Sequence, residues 1–139
     1  MKNYCWLIIA LIITFNAQAK QSFLKQITVD RKGTGDFTSL QEAINTVRAF
    51  DPDGGTVILV KNGVYHEKIV IPDWICNLKI FGESRENTLI TYNDHAKIND
   101  MGTFRTYTMQ IRGNDIQLEN LTIENAAEPL AQAVALHTE

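Results

Sequence analysis

The sequence predicts an all-β fold of short strands with a single α-helix near its start, and three observations carry that expectation. Only the stretch around residues 40–47 has helical periodicity, short apolar runs alternate with turn residues from Thr56 onward, and no second amphipathic helix follows Val60. A strand, a helix and a second strand would suit a βαβ unit, but a doubly wound sheet needs a helix at every later crossover. Parallel strands without such helices require the chain to coil into a solenoid. Isoleucine-centred strands recur at Ile58 and Ile80, a spacing typical of repeat coils. An antiparallel sandwich satisfies the same pattern, so both architectures stay open at this level.

Taken in order, residues 1–19 read as an export signal. Lys2 gives a positive start, residues 6–15 are apolar except for Thr14, and Ala17-Gln18-Ala19 is a small-residue cleavage pattern. The run is shorter than the roughly 20 apolar residues that span a bilayer. A membrane anchor is the rival reading, and export leaves no stable anchor after cleavage. Residues 20–26 form a linker and residues 27–139 one domain. Ile27-Thr28-Val29 is the first strand. Arg31-Lys32-Gly33-Thr34-Gly35-Asp36 is a glycine-rich turn without the spacing of a phosphate loop. Residues 39–50 form the helix, since Leu40, Ala43, Ile44 and Val47 fall at i, i+3, i+4 and i+7. Thr38 with Gln41, or Ser39 with Glu42, makes a capping box at its start. Asp51-Pro52-Asp53-Gly54-Gly55 then stops it.

Strands are expected at 56–60, 68–71, 78–81, 89–92, 106–111, 116–123 and 133–136. Residues 93–102 are polar and irregular, a loop projecting from the body. Ile116, Leu118, Leu121 and Ile123 alternate with a one-residue slip at Asn120, which predicts two short strands meeting at a bend. Asn120-Leu121-Thr122 also fits an N-glycosylation acceptor, a signal too common to weigh. A loop over 124–129 leads to a small-residue strand beside one amide, Gln132. Such an amide can donate to a carbonyl oxygen or serve as a surface or turn amide.

The 139 residues suffice for one domain with a modest core, and an apolar content of 45% excludes a disordered chain. A formal net charge of -3 argues against a nucleic-acid partner, which favours a basic stripe. Signal cleavage would remove Cys5 and leave Cys76 without an intrachain partner, as a buried packing thiol. Stability must then come from packing.

Five blocks carry a family resemblance: Asp36-Phe37-Thr38-Ser39-Leu40-Gln41-Glu42-Ala43-Ile44, Gly63-Val64-Tyr65-His66-Glu67-Lys68-Ile69, Gly102-Thr103-Phe104-Arg105-Thr106-Tyr107-Thr108, Leu121-Thr122-Ile123-Glu124-Asn125-Ala126-Ala127 and Gln132-Ala133-Val134-Ala135-Leu136. In this order and spacing they resemble the motifs of pectinesterases (pectin methylesterases). The resemblance covers roughly residues 27–139. It implies a right-handed parallel β-helix, here incomplete, whose early helix covers the N-terminal opening. Such a cap makes physical sense, because an uncovered coil exposes apolar side chains and unpaired backbone groups.

By the same resemblance, the substrate is methyl-esterified pectin (homogalacturonan), hydrolysed to a carboxylate and methanol without cofactor or metal. One aspartate attacks, a second serves as general acid and base, and glutamine amides stabilise the oxyanion. Gln132 matches the first of these glutamines. Thr103 matches the threonine associated with substrate contact. Arg105, Tyr107 and Thr108 match scaffold positions. Apart from the resemblance, Thr103 reads as a turn hydroxyl and Arg105 as a solvated charge.

In that family the second glutamine, both catalytic aspartates and the arginine and tryptophan of the substrate groove follow the Gln132 block. The chain ends three residues after Leu136, and none of Asp94, Asp100 or Asp115 matches a catalytic block. The expectation is therefore an N-terminal portion of a pectinesterase, exported to periplasm, cell surface or medium and inactive alone. The alternative is a non-catalytic β-helical module that binds polysaccharide. A pectate lyase would need clustered acidic calcium ligands on one strand face, and the sequence shows none.

Overall fold

The computed structural model describes residues 25–51, 54–129 and 131–139. The export signal expected over 1–19 lies outside them, as do Pro52 and Asp53 of the helix-stopping turn. Ten strands follow in chain order: β1 Lys25–Val29, β2 Thr56–Val60, β3 Gly63–His66, β4 Ile69–Ile71, β5 Cys76–Gly82, β6 Thr88–Tyr92, β7 Met109–Ile111, β8 Asn114–Glu119, β9 Thr122–Asn125 and β10 Leu136–Thr138. One helix, α1 Leu40–Asn45, separates β1 from β2.

Every strand pairing is parallel. The first sheet is ordered β1-β2-β5-β8, the second β3-β6-β9 and the third β4-β7-β10. From β2 onward each coil thus gives one strand to each sheet, and the architecture is a parallel β-helix. The Ile58 and Ile80 recurrence is its register: Ile27, Ile58, Ile80 and Leu118 stack across the first sheet. Tyr65, Ile90 and Ile123 stack across the second, and Ile69 with Met109 in the third. These inward positions are essentially solvent-free through the first three coils. Sliding one strand by a single residue would turn its apolar set outward, so the pattern fixes the register.

The coil corners explain several polar residues. Gly55, Asn77 and Asp115 precede the registered trio Thr56, Leu78 and Ile116, and all have positive φ, at 76°, 54° and 53°. A left-handed residue therefore stands just before β2 and at the second position of β5 and of β8, a conformation that Gly, Asn and Asp adopt at least cost. At Gly55 a Cβ would also approach the Asn77 carbonyl oxygen to 2.2 Å. The slip at Asn120 is a corner of the same kind, with φ 55°. It divides the expected 116–123 strand into β8 and β9. The Asn120 amide donates to the carbonyls of Gly82 at 2.9 Å and Glu83 at 3.1 Å, so the acceptor nitrogen of the glycosylation motif is engaged in the fold.

The helix is a cap, as expected. Its buried Leu40, Ala43 and Ile44 face β1 and β4, the first edges of two sheets. Ser39 is the N-cap, and its hydroxyl oxygen accepts from Glu42 N at 3.3 Å. Glu67, reaching up from the coil, accepts from Leu40 N, Gln41 N and the Ser39 hydroxyl. Gln41 reciprocates: its Oε1 accepts from Val70 N at 2.7 Å and its Nε2 donates to Val70 O at 3.1 Å. Gln41 thereby satisfies the open edge of β4, which would otherwise be an unpaired strand edge.

Several boundaries differ from expectation. The helix ends at Asn45 rather than residue 50, because the Thr46 hydroxyl and amide both return to Ala43 O and tighten the last turn. Val47 nevertheless stays buried, bonding Ile44 O. Phe50 turns away at φ 51° to donate to Trp74 O. Strand β3 was not expected: Asn62-Gly63 reads as a turn, yet Tyr65 is fully buried, its hydroxyl donating to Lys61 O at 2.8 Å. Strand β7 begins only at Met109, after a 3₁₀ turn at Thr103–Arg105, and the last strand begins at Leu136 rather than residue 133. Cys76 is half-buried, its thiol donating to Asp51 O.

Candidate active site

The three sheets leave three corners per coil, and the corner between the second and third sheets is the one that grows. Between β3 and β4 it holds only Glu67 and Lys68. One coil later residues 93–108 fill it, and one coil further residues 126–129 and 131–135. Neighbouring strands lie about 4.8 Å apart, so insertions at the same corner of successive coils meet. Thr103 lies on the first insertion and Gln132 on the second.

The structure brings these two residues into contact. The Thr103 hydroxyl donates to Gln132 Oε1 at 2.5 Å. The Gln132 carbonyl accepts from Ala96 N at 2.9 Å, which ties its backbone to the first insertion. Thr103 is in turn held by its own 3₁₀ turn, with the Thr106 hydroxyl donating to Thr103 O at 2.7 Å. That hydroxyl oxygen also accepts from Val134 N at 3.0 Å. Thr103 thus acts as more than a turn hydroxyl, and Gln132 belongs to a loop rather than to a strand. Its side chain is exposed, and among the described residues no acceptor meets Nε2.

The scaffold positions of the same block are used as packing. Lys68 Nζ contacts the Asp94 carboxylate, donates to Arg105 O at 2.6 Å and stands 4.7 Å from the Tyr107 ring centroid. Both charges of the Lys68–Asp94 pair are mostly shielded, which strengthens their attraction over that of a surface pair. Thr108 is buried and donates to Glu124 O at 2.8 Å. Phe104 lies open to solvent with the His137 ring beside it at 5.9 Å. A cavity of about 300 Å³ opens between the insertions, lined by Asn93, His95, Ile98, Ala126, Ala127 and Glu128. Its size is at the lower end for ligand pockets.

The carboxylates are distributed differently from the amide. Asp94 is engaged by Lys68, Asp100 is exposed on the first insertion, and Asp115 is the second residue of β8, at another corner. Groups with shifted acidities lie elsewhere too. The Thr34 hydroxyl and Lys32 N hold Asp30 below the ordinary carboxylate range, and Asn62 N with Lys61 does the same for Glu83. Burial raises the Tyr65 phenol.

Two residues of this corner escaped the sequence reading. Lys68 was only part of a motif, and Asn125 was one residue of a loop. Neither lies at a spacing that marks a site, because each bonds backbone carbonyls far away in the chain.

Known proteins are similar to this chain in sequence and fold. The pectinesterase family model matches residues 26–139. A probable pectinesterase/pectinesterase inhibitor 6 of Arabidopsis thaliana is 34% identical over 122 residues, covering 86% of this chain and 22% of that protein. The structure of a pectin methylesterase from carrot superposes with a TM-score of 0.77 at 28% identity, covering 81% of this chain and 35% of that one. A pectin methylesterase solved in complex with a hexasaccharide gives a TM-score of 0.69 at 28% identity, covering 81% and 38%. The chain spans between 22% and 38% of the length of these relatives. With a family match over nearly all the described residues and the same parallel coil, this chain belongs to the pectinesterase family.

Proposed function

We propose that this chain forms part of a pectinesterase acting on methyl-esterified pectin and is inactive alone, with Gln132 donating to the ester oxygen, Thr103 contacting the substrate, and neither catalytic aspartate supplied by Asp94, Asp100 or Asp115. The carrying observation is the Thr103–Gln132 hydrogen bond. It fixes Oε1 and leaves the two Nε2 hydrogens directed away from Thr103. Hydrolysis of a methyl ester with one water yields a carboxylic acid and methanol, through an intermediate whose former carbonyl oxygen carries negative charge. A donor already held in place stabilises that charge without reorganising, and losing one such donor typically lowers kcat by about 10²–10³. The hexasaccharide complex of a family member supports an oligosaccharide ligand.

The test is methanol release from methylated pectin by the full-length protein. Gln132→Ala should lower kcat by about 10²–10³ while KM changes little. Unaltered turnover in that variant would refute the assignment. A second reading, polysaccharide binding without hydrolysis, draws on the engagement of Asp94 by Lys68, which leaves that neighbouring carboxylate committed. Retention on methylated pectin without methanol release would favour it.

Export belongs to the same proposal, with residues 1–19 as signal, 20–26 as linker and 27–139 as the β-helix domain. The positive start, apolar run and Ala17-Gln18-Ala19 support it. Among the described residues no helix is long and apolar enough to cross a membrane. Mass spectrometry of the mature protein should find Lys20 first. An intact Met1 in the membrane fraction would contradict export.

A further inference from the structure

We infer that Asn125 is a positioning residue for Gln132, its one amide clamping together the three segments that assemble the candidate site. The inference rests on the role proposed above for Gln132. Asn125 closes β9, immediately before the second insertion. Its Nδ2 lies 2.9 Å from Asp94 O, 2.8 Å from Thr106 O and 3.1 Å from Val134 O. An amide nitrogen has two hydrogens, so one of them is shared between two carbonyls. Its Oδ1 accepts from Ala127 N at 2.9 Å, which fixes which end of the amide faces the carbonyls.

Those three carbonyls belong to three different stretches. Asp94 starts the loop whose Ala96 N holds the Gln132 backbone. Thr106 ends the turn whose Thr103 hydroxyl holds the Gln132 side chain. Val134 lies two residues beyond Gln132 itself. The clamp therefore sets the distance between the donor residue and both of its supports without touching Gln132. The second and third stretches are also bridged by the Thr106 hydroxyl, through Val134 N, and by Thr108 N, which lies 3.2 Å from Val134 O and 3.1 Å from Ala135 O. Removing the amide leaves the Asp94 and Thr106 carbonyls without this donor and Val134 O with Thr108 N alone. A carboxylate there would place negative charge against all three.

The role predicts a pattern that loss of general stability does not give. In the full-length protein Asn125→Ala should lower kcat for methylated pectin by on the order of 10²-fold with KM nearly unchanged, since a misplacement of about 1 Å costs that much. Combined with Gln132→Ala, it should add little further loss, because the residue it positions is already gone. Amide hydrogen exchange should accelerate at Ala96 and Val134 while Ile58 and Ile80 keep their protection. Should Asn125→Ala not fold, Asn125→Ser, which keeps one donor, must show the same split in weaker form. Additive losses in the double variant, or unchanged exchange at Ala96 and Val134, would overturn the clamp alone. A wild-type protein that releases no methanol would overturn the esterase reading and with it this role.

Discussion

Glu67→Ala tests how the cap is fastened. In the folded chain this carboxylate accepts from Leu40 N at 3.2 Å, Gln41 N at 3.1 Å and the Ser39 hydroxyl at 2.8 Å. The first turn of a helix has no partners of its own for these amides, so an acceptor must come from elsewhere. Hydrogen bonds to a charged group contribute about 1.5–3 kcal/mol each, and a partly buried donor left alone costs about 1–3 kcal/mol. The Ser39 hydroxyl, released from Glu67, can rotate to recover part of one bond. The net loss should therefore be about 2–4 kcal/mol, or roughly 10 °C in Tm for a domain of this size. Glu67→Gln keeps the shape and an acceptor oxygen but loses the charge, and should cost about 1 kcal/mol. Urea titration of the three proteins side by side supplies the comparison, with unchanged slopes expected if the unfolded states are alike. A Glu67→Ala midpoint within about 0.5 kcal/mol of wild type would show that the cap docks through its apolar face alone.

Two further outcomes concern the corners. Asn120 combines a left-handed backbone with two side-chain hydrogen bonds, so stability should fall in the order Asn120, Asn120→Gly, Asn120→Ala, with the alanine variant down by about 2–4 kcal/mol; thermal unfolding that ranks alanine above glycine would contradict the corner geometry. Asp30 and Glu83 have folded acidities below their ordinary values of 3.8 and 4.5, so the stability they add is complete above about pH 4.5 and is lost as pH falls through their lower folded values. Tm measured from pH 5 to pH 2 should decline, and the decline should be shallower in the Asp30→Asn, Glu83→Gln double variant.

What could be read from the sequence was what a few neighbouring residues decide among themselves. The stripe Leu40, Ala43, Ile44 and Val47 identified the cap because one helix face contains it, although Thr46 ends the helix early. The slip at Asn120 marked a true corner because alternation breaks there locally. Strand β3 was missed for the opposite reason: Val64 is exposed and His66 is exposed, so only Tyr65 points inward, and the strand exists because β6 pairs with it. Periodicity also left a sandwich open, since alternation records which face is buried and not which strand lies alongside. Thr103 came from resemblance, and for Gln132 chemistry alone left a donor and a surface amide open until the resemblance chose between them. Their hydrogen bond joins residues 29 positions apart, and no spacing rule reaches across an irregular insertion.

The two-residue corner of the second coil links the cap to the candidate site. Glu67 and Lys68 are adjacent, yet they point to different partners: Glu67 holds the start of α1, and Lys68 holds Asp94 and the Arg105 carbonyl on the first insertion. Below the insertions the coil is held by its ladders, with β2, β5, β6 and β7 paired on both sides and the edge of β4 covered by Gln41. The insertions have few ladder hydrogen bonds of their own, so their shape depends on side chains sent up from that coil. Lys68 comes from one side and Asn125 from the other, and between them they grip the loop that carries Thr103. Loosening α1 would therefore disturb Lys68 through its neighbour before it disturbed Asn125, whose strand β9 lies two coils away in the second sheet. This division explains how two irregular insertions can keep one arrangement: the paired strands supply the floor, and two polar side chains tie the insertions to it.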